Sequence, residues 1–201
     1  MAYPFRIVFI RHGETPYNAE GRLQGQQDIP LNGKGRDQAG AVGRMLRKRL
    51  GAEIDELEAA HGFVASPLLR TRETMELARA AMGFPPGAYA TSEALKELTF
   101  GIWEGLTWLE VEHRDPVRAR EREADKWNYA PPGGESYAML TERLKPWLAE
   151  QSADRLVASH GGVARALLHL IAGVGEKTAA SASIWQGRAL VFESGGAKWL
   201  G

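Results

Sequence analysis

The stretch "IVFIRHGETPYN", residues 7 to 18, decides the fold. Ile7, Val8, Phe9 and Ile10 are β-branched or aromatic, and so short an apolar run reads as a strand buried on both faces. Arginine, histidine, glycine and glutamate then follow at once. In open α/β sheets ligands gather at the C-terminal ends of the strands, which is where this charge arrives.

Outward from this strand, Arg11 to Leu31 is rich in Gly, Pro, Asn and Gln and reads as a long loop. Asn32 is the candidate N-cap of a helix that puts Ala39, Val42, Met45, Leu46 and Leu50 on one face, with Gly51 as its stop. "GFVASPL" (62–68) is a second short apolar run, broken at Ser66-Pro67. A helix over 69–83 follows, with Leu77, Ala78, Ala81 and Met82 as its expected stripe. "RLVASHGGVARALLHLIAG" (155–173) repeats the plan: a strand through Ala158, a turn at Ser159 to Gly162, and a helix burying Val163, Leu167 and Ile171. "RALVFES" (188–194) is a further strand with turns around it. Strands that alternate with helices predict an α/β fold, helices covering both faces of a mostly parallel sheet.

The segment from Trp108 to Tyr129 carries charges of both signs and closes on Pro131-Pro132-Gly133-Gly134. It reads as an excursion from the core, spanning about 106–134. Such a charge run is either a solvated helical face or a lid whose Trp108, Arg114, Arg118 and Trp127 help to choose a leaving group. Ser136 is a candidate cap for the helix beyond it.

The 201 residues show no linker or composition break, so a single domain over 1–201 is expected. Lys and Arg number 25 and so do Asp and Glu, a balance that argues against nucleic-acid or anionic-membrane binding through the overall field. There is no cysteine, which excludes a disulfide framework, a thiolate metal site and a cysteine nucleophile. Phe5 to Ile10 is too short to serve as a signal or span, and a cytoplasmic setting is expected. No His-x-x-x-His pair suggests zinc. Gly33-Lys34 is no P-loop either, because Asp28 stands where the first glycine belongs and Gly35 where Ser or Thr would.

The strand-end rule brings Arg11, His12, Arg70 and His160 towards one crevice, with a carboxylate from the 93–105 loop. That set suits phosphoryl transfer, whose transition state is stabilised by positioned cations and hydrogen-bond donors. A neutral histidine attacking phosphorus would split hydrolysis into two displacements, and His12 is fixed by its strand end. Arginine forks match phosphate oxygens. One carboxyl group with a raised pKa can protonate the leaving alkoxide and later activate water. Glu97 is the choice, with Leu95, Leu98, Phe100 and Trp103 around it in sequence, while Glu14 and Glu104 remain open. Each residue has a plainer reading: a capping imidazole for His12 or His160, a helix-start arginine for Arg70, turn residues for Asn18 and Gln24. His61, His113 and His169 read as structural or surface groups.

"RHGET" (11–15), "GRLQGQQDIPLNGKGRDQA" (21–39), "SPLLRTRET" (66–74), "LKELTFGIWEG" (95–105) and "SHGG" (159–162) together resemble the histidine phosphatase superfamily, the phosphoglycerate mutase-like proteins, and within it the short bacterial phosphatases. The match covers most of the chain in the family's order. The resemblance implies a three-layer α/β/α sandwich and an enzyme in which His12 is phosphorylated, with Arg11, Arg70 and His160 forming the phosphate pocket. It also implies that Asn18, Gln24 and the Gly161 amide bind the phosphate, that Glu97 is the proton donor, and that the partner is a small phosphorylated substrate. No metal and no other cofactor is implied. Thr99 stands where many relatives carry an acid. The mutases of the family are longer beyond the second histidine, which favours hydrolysis here over phosphoglycerate mutase-type transfer. A non-catalytic phosphate or phosphoprotein sensor is the rival from another class. Monomer and homodimer both stay open.

Overall fold

In the computed structural model, which describes residues 3–200, the first apolar run is the strand β1 (Ile7–Arg11), buried throughout except at Arg11. Residues 1, 2 and 201 of the expected domain lie outside the described residues. With β2 (Phe63–Ala65), β3 (Ala90–Thr91), β4 (Arg155–Ser159), β5 (Ala189–Glu193) and β6 (Gly196–Leu200) it forms one sheet in the order β3-β2-β4-β1-β5-β6. The first four strands in that order are parallel. β5 joins β1 antiparallel, and β6 turns back along β5. Sequence reading missed β3 and β6, because one is only two exposed residues and the other carries Gly196 and an exposed Lys198.

The helices are α1 (Pro16–Ala19), α2 (Gly33–Leu50), α3 (Ala52–Ala59), α4 (Leu69–Met82), α5 (Trp108–Arg114), α6 (Pro116–Ala124), α7 (Tyr137–Ala149), α8 (Gly161–Leu170) and α9 (Glu176–Ser181). Asn32 does cap α2, accepting from the Gly35 amide at 2.8 Å, and Gly51 ends it with φ +54°. Within the expected loop, α1 forms a single helical turn capped by Thr15. The buried face of α4 differs from the expected stripe. Ala78 and Met82 are inside, but Leu77 and Ala81 lie at its margin, and Arg70, Thr71, Thr74, Met75 and Arg79 complete it. The polar members fit because their partners come with them. Thr71 and Thr74 donate to the Ser66 and Arg70 carbonyls, and Arg79 grips Glu58 while lying over the Phe63 ring.

Sheet residues alternate between two cores. Val8, Ile10, Phe63, Ala65, Leu156, Ala158 and Val191 pack with Val42, Leu46, Ile54, Met75 and Ala78 of α2, α3 and α4. Ile7, Phe9, Val64, Val157, Leu190 and Phe192 pack with residues of α7, α8 and α9. Each such buried Val, Leu, Ile, Met or Phe side chain contributes about 1.5–3 kcal/mol. The outcome is the expected α/β/α sandwich. β1 hands over to α2 on one face and the adjacent β4 to α8 on the other, so a crevice opens between their C-terminal ends.

Outside these cores, Trp103, Val111 and Ala119 bury one another beneath α5 and α6. Trp127 does not belong to that group. It is buried in the main core, its ring 5.6 Å from Tyr137 in a stack and 4.9 Å from His169 edge-on, so it is not free to contact a leaving group. Ser136 caps α7, accepting from the Met139 amide at 3.2 Å.

Candidate active site

The chain leaves β1 at Arg11 and enters the crevice at His12, whose amide donates to Ser159 O of β4 at 2.9 Å. His12 Nδ1 lies 2.7 Å from Gly13 O. A carbonyl only accepts, so Nδ1 carries the proton and Nε2 keeps its lone pair. The His160 ring sits 5.3 Å away, centroid to centroid. Its Nε2 is 2.8 Å from Ser66 Oγ at the end of β2. Burial, then the positive charges of Arg70 and Arg11, hold His12 well below the usual histidine range. Burial and Arg70 do the same to His160. Both imidazoles are therefore neutral at pH 7.

Arg70 enters from the first turn of α4, whose start is capped from a distance: Asp28 in the long loop accepts from the Leu69 amide at 2.6 Å. Its guanidinium donates to Gly25 O and Gln27 O, each at 2.7 Å. Burial lowers its pKa to about 10, with Glu97 pulling the other way, and the group stays charged at neutral pH. Arg11 donates through one Nη to Ile184 O at 2.8 Å, and burial lowers its pKa as well. The forks are thus pinned by carbonyls, whereas Arg11 Nε, Arg70 Nε and His160 Nδ1 are buried with no partner among the described residues. Leaving a buried polar group unmade costs about 1–3 kcal/mol. Three such nitrogens gathered in one crevice match the needs of an anionic oxygen cluster.

Among the acids, Glu97 alone of the three candidates is held at the start of α8: its Oε2 accepts from the Gly162 amide at 3.0 Å. A side chain on Gly162 would collide with that carboxylate, so the close approach requires glycine. Leu95 and Leu98 are buried beside it in the main core, while Trp103 belongs to the separate cluster. Glu14 is taken up by Lys34 Nζ at 2.7 Å and Asn32 Nδ2 at 3.0 Å. Glu104 Oε1 accepts from Thr99 Oγ1 at 2.6 Å and from the Gln26 and Phe100 amides, both at 3.1 Å. Those bonds stitch two loops together and account for the threonine at 99.

The family model for the histidine phosphatase superfamily (branch 1) matches residues 7–199. The chain belongs to this superfamily. A 6-phosphofructo-2-kinase/fructose-2,6-bisphosphatase of Gallus gallus is 36% identical over 167 residues, covering 82% of this chain and 32% of that protein. The chain thus spans about a third of the length of that relative. The glucosyl-3-phosphoglycerate phosphatase of Mycolicibacterium vanbaalenii is 34% identical over 183 residues, covering 84% of this chain and 75% of that protein. Among solved structures, Bacillus stearothermophilus YhfR superposes with a TM-score of 0.77 at 28% identity, over 96% of this chain and 94% of that one.

In this histidine phosphatase superfamily chain the remaining expected residues sit next to the two arginines: Gln186, which bonds Asn18, pairs with Arg11, and Gln24 precedes the Gly25 carbonyl held by Arg70. Asn18 Oδ1 accepts from the Thr15 amide at 3.2 Å and from Gln186 Nε2 at 3.0 Å. Gln24 Oε1 accepts from Thr15 Oγ1 at 2.8 Å. With their carbonyl ends used, both present NH₂ donors. Gly161 opens α8, so its amide has no intrahelical acceptor. Sequence reading missed Ser66, Gln186, Arg143 and Arg165. Arg165 was within reach, since four residues after Gly161 on a helix is the same face. It donates to Ala182 O at 2.9 Å and to the Tyr137 hydroxyl at 3.3 Å, and its charge helps to lower the Arg11 pKa. Among the described residues no cluster of three or more His, Asp or Glu side chains is placed to hold a metal ion, and no helix is long and apolar enough to cross a membrane.

Proposed function

We propose that the chain is a metal-independent phosphomonoesterase working through phospho-His12. The observation that carries this is the neutral His12, its Nε2 lone pair available, set beside three buried nitrogens without protein partners. Arg11 Nε, Arg70 Nε, His160 Nδ1 and the Gly161 amide hold the phosphoryl oxygens, with the NH₂ groups of Asn18 and Gln24 at the rim. His12 Nε2 attacks phosphorus as the P–O bond breaks, and Glu97 delivers its proton to the departing oxygen. Water then gives a proton to Glu97 and attacks phosphorus, the P–N bond breaks, and inorganic phosphate leaves His12 neutral again. Arginine and imidazole donors fixed in advance stabilise the charge spread over the phosphoryl oxygens in both steps.

The substrate class is a small phosphomonoester with a second anionic group, for which Arg165 is the counter-charge beside Arg11. The bisphosphatase and phosphoglycerate names of the relatives fit that class. The balanced charge supports a setting without nucleic-acid or membrane partners, and the cysteine-free composition suits the cytoplasm. A mutase-type transferase and a phosphate sensor are the rivals. The test is phosphate release from p-nitrophenyl phosphate and from a panel of metabolite monoesters, with and without a second anionic group, in excess EDTA. Native protein should turn over and His12→Ala should not, with the doubly anionic members preferred. Activity that survives His12→Ala, or disappears with EDTA, would sink the reading. No turnover at all would favour the sensor, and phosphate passed to an acceptor alcohol the transferase.

A further inference from the structure

The segment that carries Glu97 has almost no regular structure of its own. A single 3₁₀ turn over Glu93–Leu95 ends at Lys96 in extended backbone, and a second begins only at Gly101. Four successive carbonyls before Leu98 therefore lack a helix or sheet ladder, and each is taken by a side chain from elsewhere. Arg143 of α7 donates through Nη1 to Ala94 O at 2.8 Å and Lys96 O at 3.1 Å. Ser159 Oγ at the end of β4 donates to Leu95 O at 2.7 Å, and Gln26 Nε2 donates to Glu97 O at 3.0 Å. The other edge of the Arg143 guanidinium meets Glu135 twice, Nε to Oε1 and Nη2 to Oε2, both at 3.1 Å. Glu135 closes the circuit: its Oε2 accepts from the Thr99 amide at 3.2 Å, and its own amide donates to Thr99 O at 2.8 Å.

We infer that Arg143, oriented by Glu135, is a positioning residue that fixes the Glu97 loop against α8 and so sets how well protonation of the leaving group is matched to attack by His12. The inference rests on the reading of Glu97 as the proton donor. Arg143 bonds none of Arg11, His12, Arg70 and His160 and adds only the smallest of the positive charges that hold His160 low, so its removal leaves the nucleophile and the phosphate donors in place. Only a planar fork can bond a carboxylate along one edge and two carbonyls along the other, which lysine does not reproduce. The pair is also mostly shielded, Arg143 being 24% and Glu135 18% exposed at their side chains.

This role has a signature that a general loss of structure lacks. An activated phenolate departs without help, whereas a basic leaving group needs the proton, so a misplaced Glu97 costs most where the leaving group is most basic. The experiment measures kcat/KM for a series of substituted phenyl phosphates, from p-nitrophenyl to unsubstituted, and for glycerol phosphate. The proteins are native, Glu97→Gln, Arg143→Lys, Arg143→Gln, Glu135→Gln and the Glu97→Gln/Arg143→Gln double variant. Arg143→Gln should lose about 10²-fold on the most basic leaving groups and little on p-nitrophenyl phosphate. Arg143→Lys and Glu135→Gln should follow the same gradient less steeply, and the double variant should be no worse than Glu97→Gln alone. A uniform loss across the series, or additive losses in the double variant, would overturn the inference. If Arg143→Gln does not fold, Arg143→Lys and Glu135→Gln decide by their gradients. A flat series for Glu97→Gln itself would instead overturn the proton-donor reading.

Discussion

The crevice at the ends of β1 and β4 and the excursion over 106–134 are both crowded with charge, and they hold it by opposite means. In the crevice His12, Arg70 and His160 are buried, Arg11 is nearly so, and three of their nitrogens have no protein partner. In the excursion the charges lie towards solvent and pair with one another: Arg118 with Asp115 at 3.2 Å, Lys126 with Glu123 at 3.0 Å, and Glu110 with Arg22 of the long loop at 3.0 Å. Trp103 Nε1, at the excursion's base, also lacks a partner among the described residues, but it stands alone there. Density of charge therefore says little about function. Several buried, unmet hydrogen bonds gathered in one crevice say a great deal, because a single anionic ligand offsets their cost together.

Three changes would break or sharpen this contrast. The largest effect is expected from Arg70→Lys, which keeps a charge but loses the fork that reaches Gly25 O and Gln27 O and the Nε proposed to meet the phosphoryl oxygens. Its kcat/KM for p-nitrophenyl phosphate should fall about 10²–10³-fold, and a loss below tenfold in steady-state kinetics would contradict the placement. Next comes pH. Both buried imidazoles have folded-state pKa values below the unfolded value of about 6.5, so above that pH neither state binds the proton and stability is complete. As pH falls, the unfolded chain alone takes up protons and stability is lost. Between pH 7.5 and 5.5 each histidine should remove about 1.4 kcal/mol, read from urea unfolding curves. His12→Asn should roughly halve that slope, and an unchanged slope would show that His12 is not held neutral. The smallest effect is expected from Arg118→Ala, whose exposed pair with Asp115 contributes at most about 0.5 kcal/mol. Both its unfolding midpoint and its turnover should stay near native, and a tenfold change in turnover would make that face part of the site.

Much of this was legible along the chain, for a physical reason that can be named at each place. β1, β4 and β5 are runs of β-branched and apolar residues, and α2 is bracketed by an Asn32 cap and a Gly51 stop, so local preference and the final fold agree there. The buried face of α4 was less legible, because Thr71, Thr74 and Arg79 become acceptable inside only through bonds to Ser66, Arg70 and Glu58. The place of Trp127 was hidden for a similar reason: a charged neighbourhood in sequence says nothing of the Tyr137 and His169 rings it meets in space. In the site, His12 and His160 stood out because each ends an apolar strand, whereas Arg143 carries no local mark and its partners lie between 8 and 50 residues away.

By itself the sequence determined the α/β alternation, the strand ends that deliver His12 and His160, and the order of motifs that places the chain among the histidine phosphatases. These follow from periodicity, turn chemistry and residue type, all of which are local. Tertiary structure alone decided which acid stands at the head of α8, which nitrogens are left without partners, and which side chains hold the Glu97 loop. Glu14, Glu97 and Glu104 are chemically alike, and they differ only in what surrounds them: Lys34 and Asn32 for the first, the Gly162 amide for the second, Thr99 and two loop amides for the third. Such surroundings are assembled by contacts between residues far apart in the chain, and no spacing of letters records them.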